Sequence, residues 1–341
     1  MPMKKLQNSL YITRQGAYLH KERETLVIEV EKEKVMQVPI HAIQAIYCFG
    51  NVMVSPFLMG FCGENGVHLA FFTEYGRFLG RLQGKQTGNV LLRQTQYKIA
   101  ELKPESISRN IIAAKITNSR AVLYRHLRNH GENIDVNQAI VQLSSALRRL
   151  QKTDNLDSIR GIEGEAASFY FGVFDELILP SVGEGFEFNT RSRRPPLDRV
   201  NALLSFLYSV VGNDISAALQ GVGLDPQMGF LHQTRPGRDS LAQDVLEEFR
   251  AWLVDRLVLS LINRKQIKAN DFEIEVSGAV KLKNDARKAV LVALQNRKQE
   301  TVIHPFLNED VPIGLLPHVQ ALLLARHLRG DLAEYPPFVP R

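Results

Sequence analysis

The chain has 341 residues, of which 45% are hydrophobic and 23% charged, and a formal net charge of +6. Those proportions are ordinary for a globular protein with room for two domains and a sizeable core, and they exclude a disordered or fibrous chain. No uninterrupted apolar run approaches the roughly 18 residues that span a bilayer, and the lysine-bearing start Met1 to Ser9 lacks a following apolar segment, so a cytoplasmic, non-secreted protein is expected.

Up to about Leu82 the pattern is that of strands. Short β-branched or aromatic runs occupy Leu10 to Thr13, Tyr18 to Lys21, Thr25 to Val30, Val35 to Val38, Ala45 to Phe49 and His68 to Phe72. The run from Thr25 to Val30 is apolar on both alternations, which predicts a central strand covered on both faces. Ser55 followed by Pro56 is an N-cap signal, and the spacing predicts one helix from there to about Gly63.

After the polar turn Gly84-Lys85-Gln86-Thr87-Gly88 the apolar period lengthens to about 3.6 residues. Helices are predicted over Val90–Leu102, Ser106–Asn129, Val136–Gln151, Leu156–Leu179, Leu197–Val211, Asp239–Arg264, Lys283–Gln295 and Pro312–Arg329. Pro104, Gly131, Pro180 and the pair Pro195-Pro196 mark breaks. A small hairpin is expected at Phe272–Val276 with Ala279–Leu282, and the three prolines of the tail after Tyr335 predict an extended end. The fold class is therefore α+β: a small β domain with one helix over 1–88 and a larger, mostly α-helical domain over 89–341.

Three positions carry chemistry if the fold unites them. Glu163 lies between two glycines in Arg160-Gly161-Ile162-Glu163-Gly164. Each helical glycine costs about 1 kcal/mol relative to alanine, so the pair suggests that a backbone or ligand approaches closely. The plainer reading is a packing face beside a solvated glutamate. Asp244, Glu247 and Glu248 stand at i, i+3 and i+4, sharing a helix face where like charges repel unless a cation or water intervenes. A solvated acidic face is the commoner cause of such a trio. His232, after Gly229-Phe230-Leu231, comes just before that helix. One imidazole and two carboxylates suit Mg²⁺ or Mn²⁺; zinc also fits the donor types, although HExxH is absent.

Between these segments runs Thr190-Arg191-Ser192-Arg193-Arg194-Pro195-Pro196-Leu197-Asp198-Arg199, and Arg235 and Arg238 follow His232. Guanidinium groups bind phosphate bidentately, so Arg191, Arg193, Arg194, Arg235 and Arg238 are candidate DNA-binding residues. A merely solvated basic loop is the alternative. No P-loop, GxGxxG or GxSxG occurs. The two cysteines, Cys48 and Cys62, form no CxxC and read as buried free thiols.

Taken in order, Arg160-Gly161-Ile162-Glu163-Gly164, Arg194-Pro195-Pro196-Leu197-Asp198-Arg199-Val200-Asn201-Ala202-Leu203-Leu204, Gly229-Phe230-Leu231-His232 and Asp244-Val245-Leu246-Glu247-Glu248-Phe249-Arg250 closely resemble the CRISPR-associated endonuclease/integrase of spacer acquisition, the "Cas-one" family. The resemblance covers nearly the whole chain and points to a type I system, subtype I-C. It implies a metal-dependent DNA nuclease and integrase that joins prespacer 3′-hydroxyl ends to repeat phosphodiesters in double-stranded DNA, with Mg²⁺ or Mn²⁺ as cofactor. It further implies a homodimer, a small "Cas-two" partner in a heterohexameric complex, a "Cas-four" nuclease as a further partner, and no membrane. By motif position the metal ligands map to Glu163, His232 and Glu247, with Asp244 as an additional catalytic acid. Many members have aspartate where this chain has Glu247. Two rival readings stand beside this one: a metal-dependent nuclease that cuts without joining, and a DNA-binding scaffold whose acidic cluster is structural.

Overall fold

The computed structural model describes residues 8–74, 78–82, 84, 90–182 and 184–340. Residues 1–7 and the turn expected at 84–88, Gly84 apart, lie outside the described residues. The chain divides into two compact units, residues 1–87 with 284–300 and 312–315, and residues 88–283 with 301–311 and 316–341.

In the first unit the strands are β1 (Asn8–Ile12), β2 (Ala17–Glu22), β3 (Thr25–Val30), β4 (Glu33–Pro39), β5 (Ile43–Phe49), β6 (Val52–Val54), β7 (His68–Phe72) and β8 (Phe78–Arg81). They form two four-stranded sheets, ordered β4-β3-β2-β6 and β1-β5-β7-β8. As its sequence predicts, β3 is an inner strand, with Leu26, Val27 and Ile28 all buried. The short β6 and β8 escape sequence reading because three or four residues are too few to show a period. Helix α1 (Pro56–Asn65) starts where expected: Ser55 Oγ accepts from the N–H of Leu58, and Gly66 closes the helix in the left-handed region at φ 66°. Leu58 and Cys62 of α1 join Leu19, Leu26, Ile46 and Leu69 of the strands in one apolar core. Both cysteines are buried and free, and burial pushes their thiols up to about 12 for Cys48 and about 11 for Cys62.

The second unit is built on α2 (Val90–Leu102), α3 (Glu105–His130), α4 (Ile134–Leu150), α5 (Leu156–Gly172), α6 (Arg199–Gly221), α7 (Ser240–Phe249) and α8 (Arg256–Asn263). The hairpin β9 (Phe272–Ile274) and β10 (Val280–Leu282) pairs antiparallel as expected. Helix α9 (Asn284–Gln299) groups with the β unit, the small pair β11 (Thr301–Ile303) and β12 (Asp310–Pro312) follows, and α10 (Leu316–Leu328) belongs to the helical unit.

Three helices depart from the sequence pattern. α5 ends at Gly172 rather than Leu179, giving way to short 3-10 turns at Asp175–Leu177 and Pro180–Val182. α6 runs on to Gly221 instead of stopping near Val211, with Gly212 inside it, where a Cβ would make only ordinary contact with Gln243 and Leu246 of α7 at 3.5 and 3.8 Å. It is also the one described helix long and apolar enough to cross a membrane, and 83% of the qualifying window is buried within the protein, as befits a core helix that is apolar all round. The segment predicted as one helix over Asp239–Arg264 is α7, then a π-helical stretch at Arg250–Asp255, then α8. That π stretch changes which residues share a face, and such insertions concentrate at functional sites.

Candidate active site

The turn between α6 and α7 is organised around one carboxylate. The backbone N–H groups of Phe230, Leu231 and His232 donate to Asp244 at 2.6, 3.0 and 2.9 Å, making a nest of amides around the anion. Gly229 leads into it because a Cβ there would fall 2.9 Å from both Asp244 Oδ2 and Ser240 Cβ. Asp244 Oδ1 also lies 2.6 Å from His232 Nδ1. A carboxylate only accepts, so the proton resides on Nδ1 and the lone pair of Nε2 is left for another partner. Asp244 is wholly buried and both its oxygens are engaged. In this geometry it fixes the ring and backbone of His232.

The glutamate helix is tied to the same turn. Arg160 Nε donates to the carbonyl of Leu231 at 2.8 Å, joining the start of the Arg160–Gly164 motif to the backbone before His232. One turn along α5, Glu163 forms an ion pair with Nζ of Lys115 on α3. No atom comes within 4 Å of where a Cβ would stand on Gly161 or Gly164, so neither is a packing glycine. They leave the flank of Glu163 open.

Glu247 completes the group from α7, with a side chain only 4% exposed. Its Oε2 is 2.7 Å from Lys115 Nζ, and its Oε1 is 2.9 Å from Arg250 Nε and 4.0 Å from His232 Nε2. Burial alone would raise its pKa, but Arg250, Lys115 and His232 outweigh burial and hold it down to about 2. The Lys115 ammonium is likewise opposed by burial and sustained by Glu247 and Glu163, which together raise its pKa. Behind the pair, Arg250 lies 4.4 Å over the ring of Tyr208, whose hydroxyl donates to Asp255 at 2.5 Å. The π-helical stretch has Arg250 and Asp255 at its two ends.

The third acid of the sequence trio serves a different structure. Glu248 accepts from the Tyr335 hydroxyl at 2.6 Å, the Gln320 amide at 2.8 Å and the Phe338 N–H at 2.7 Å. Burial nonetheless pushes its carboxyl up to about 7. Asp244, Glu247 and Glu248 are all buried, so the solvated acidic face expected of such a trio is not what forms.

The donor types of Glu163, His232 and Glu247 fit a hard or borderline divalent cation. Glu247 Oε2 is buried and meets the Lys115 ammonium at 2.7 Å, so the carboxylate is held ionised for a cation. Among the described residues, no three His, Cys, Asp or Glu side chains stand as a ready-made metal cage. The Lys115 ammonium contacts both carboxylates instead.

Arg193, Arg194 and Arg235 are exposed and Arg238 half-buried. Burial, then the like charge of Arg235, Arg194 and Arg193, lowers the pKa of Arg238 against the pull of Asp244, so the two basic segments share one field. Arg191 departs from the set. Its guanidinium donates to Ser192 O, Asn201 Oδ1 and Ser205 Oγ and lies 5.5 Å from the Tyr208 ring, bracing the start of α6.

The sequence motifs include Arg160 and Gly229 without showing what they do, and they omit Lys115. Lys115 leaves one signal, a lone charge in the apolar stretch Ile111-Ile112-Ala113-Ala114-Lys115-Ile116.

Comparison with known proteins agrees with these motifs. The family described as CRISPR associated protein Cas1 matches residues 10–296. The chain is 51% identical over 344 residues to the CRISPR-associated endonuclease Cas1 1 of Chlorobaculum tepidum, covering 99% of this chain and 100% of the relative. It is 35% identical to a CRISPR-associated exonuclease Cas4/endonuclease Cas1 fusion of Geobacter sulfurreducens, over 97% of this chain and 60% of the fusion. Among solved structures, a casposase bound to integration product matches with a TM-score of 0.83 at 23% identity, over 96% of this chain and 93% of that one. A chain of a Cas6-RT-Cas1–Cas2 complex matches with a TM-score of 0.82 at 22% identity, over 99% of this chain and 36% of that one. Fold and sequence thus define an α+β nuclease-class enzyme. The chain belongs to the Cas1 family of CRISPR-associated endonucleases.

Proposed function

We propose that this protein is the integrase of CRISPR spacer acquisition, joining the 3′-hydroxyl ends of a prespacer duplex to repeat phosphodiesters, and that Glu163, His232 and Glu247 hold its Mg²⁺ or Mn²⁺. The observation that carries this reading is the convergence of Glu163 and Glu247 on one ammonium, with His232 Nε2 4.0 Å from Glu247 Oε1, in a chain of this family. A divalent cation bound there supplies Lewis acidity toward a phosphoryl oxygen. The chain's own residues do the rest. Asp244 holds His232 in the tautomer that presents Nε2, and Arg160 keeps the glutamate helix in register with that turn. Arg193, Arg194, Arg235 and Arg238 bind backbone phosphates beside the reacting one.

The working assembly in this reading is a homodimer combined with the small Cas2 partner in a heterohexamer, with a Cas4 nuclease as a further partner. A Cas1 chain of shared fold in a Cas1–Cas2 complex and a relative fused to Cas4 support those partners.

The test is an integration assay with a 3′-hydroxyl duplex, repeat DNA, Cas2 and Mg²⁺ or Mn²⁺. Glu163→Ala is expected to bind DNA and fail to join it. Joining at the wild-type rate would remove Glu163 from the site, and cut products without joined ones would favour a simple nuclease.

A further inference from the structure

The amine of Lys115 touches both carboxylates assigned to the metal, and its side chain is only 11% exposed. It reaches them from α3, an element no motif of the family resemblance includes. A buried lysine is costly unless paired, and here it has two anionic partners at once. The pairing gathers Glu163 and Glu247 on one ammonium.

We infer that Lys115 is an internal counter-ion that takes the place of the metal in the unloaded site, and that metal entry displaces its ammonium toward the phosphate of the arriving DNA. The inference rests on the proposed metal role of Glu163, His232 and Glu247. An ammonium and a divalent cation crowded on the same two carboxylates repel each other strongly. Binding a divalent ion therefore weakens the Lys115 ion pairs. The loosened ammonium, held in a poorly solvated place, then lacks a full counter-charge. A DNA phosphodiester brought in beside Arg193, Arg194, Arg235 and Arg238 provides one. Metal and DNA should thus strengthen each other's binding, and by linkage the effect is equal in both directions. Lys115 acts as a positioning residue, keeping the carboxylates gathered in the resting protein and making the loaded state depend on substrate.

The test uses the full chain, Mn²⁺ as the metal probe and a short DNA duplex. Isothermal titration without DNA compares wild type with Lys115→Met, which keeps the length and removes the charge. Lys115→Met is expected to bind Mn²⁺ at least tenfold more tightly, and duplex DNA should tighten Mn²⁺ binding in wild type more than in the variant. Equal or weaker Mn²⁺ binding by Lys115→Met would overturn the inference while leaving the metal site intact. Absence of saturable Mn²⁺ binding in both proteins would overturn the metal site itself, and this inference with it. If Lys115→Met does not fold, acylation of wild-type lysines, read by mass spectrometry with and without Mn²⁺, gives the answer. Labelling of Lys115 should rise several-fold with Mn²⁺ relative to exposed lysines such as Lys32 and Lys34; unchanged or lower labelling contradicts displacement.

Discussion

Nδ1 of His232 lies 2.6 Å from Oδ1 of Asp244, and the same carboxylate takes three backbone N–H groups from the turn that carries the histidine. One buried acid therefore sets both the tautomer of the ring and the path of its backbone. Asp244→Asn replaces part of that acceptor set with a donor facing donors. It should cost about 2–3 kcal/mol of stability and weaken Mn²⁺ binding about 10–100-fold. Denaturant unfolding and metal titration of the same preparation check the two effects together.

The segment from Tyr335 to Phe338 is fastened to the back of α7. Asn118 Nδ2 donates to the carbonyls of Glu248 and Phe338, while Glu248 receives Tyr335, Gln320 and the Phe338 N–H. Deleting 335–341 should cost about 3–5 kcal/mol by stripping donors from a buried carboxylate and exposing the bed of Phe338. Loss of less than 1 kcal/mol in chemical denaturation would show that the tail is dispensable.

That carboxyl also predicts a pH dependence. The folded-state pKa of Glu248, about 7, lies above its ordinary value of 4.5, and that of Asp255, about 6, above 3.8. A raised carboxyl favours folding while it is protonated, so its contribution is fully present below the ordinary value and is lost as pH rises through the folded one. Stability should then decline between about pH 4.5 and 7, with Glu248 responsible for on the order of 3–4 kcal/mol. Glu247, held down to about 2, acts oppositely and only in acid, its contribution falling away below about pH 4.5. Glu248→Gln should flatten the decline in a series of denaturation curves against pH, and an unchanged slope would refute the assignment.

Gly164 has open space where a side chain would stand, in the middle of α5. Gly164→Ala should stabilise the protein by about 1 kcal/mol, a rise in Tm of roughly 2–4 °C. If the open flank beside Glu163 receives the DNA backbone, the same variant will bind duplex DNA less tightly. Calorimetry reads the first effect and a fluorescence anisotropy titration the second.

The basic residues divide into two groups with different expected readouts. Replacing Arg193, Arg194, Arg235 or Arg238 with Gln should each lower the slope of log K against log salt by about one, with little effect on folding. Arg191→Gln should instead cost about 1–3 kcal/mol of stability, because its guanidinium is bonded to Asn201 and Ser205 at the start of α6.

Much of the fold was legible because long helices and a two-sided apolar strand leave periodic signatures, as α2 and β3 show. Helix ends were less so. The predicted end near Val211 falls short of the observed end of α6 at Gly221, and nothing in a helical period reveals a π turn at Arg250–Asp255. At the site, residue types and order pointed to Glu163, His232 and Glu247, of which Glu163 and Glu247 meet on Lys115. What stayed hidden was how the acids divide their work. Asp244, Glu247 and Glu248 look alike on a helical wheel, and only their partners distinguish a ring anchor, a candidate ligand and a tail anchor. Lys115 was beyond sequence reasoning because its two glutamates lie 48 and 132 positions away along the chain, on different helices.

The central claim is that the carboxylates of Glu163 and Glu247 and the imidazole of His232 form one divalent-cation site. Anomalous scattering from crystals soaked in Mn²⁺ with a DNA duplex tests it most directly. One strong anomalous peak is expected within coordination distance of Glu163, His232 Nε2 and Glu247, absent in Glu163→Ala. A peak held by Asp244 or Glu248, or one that persists unchanged in Glu163→Ala, would contradict it.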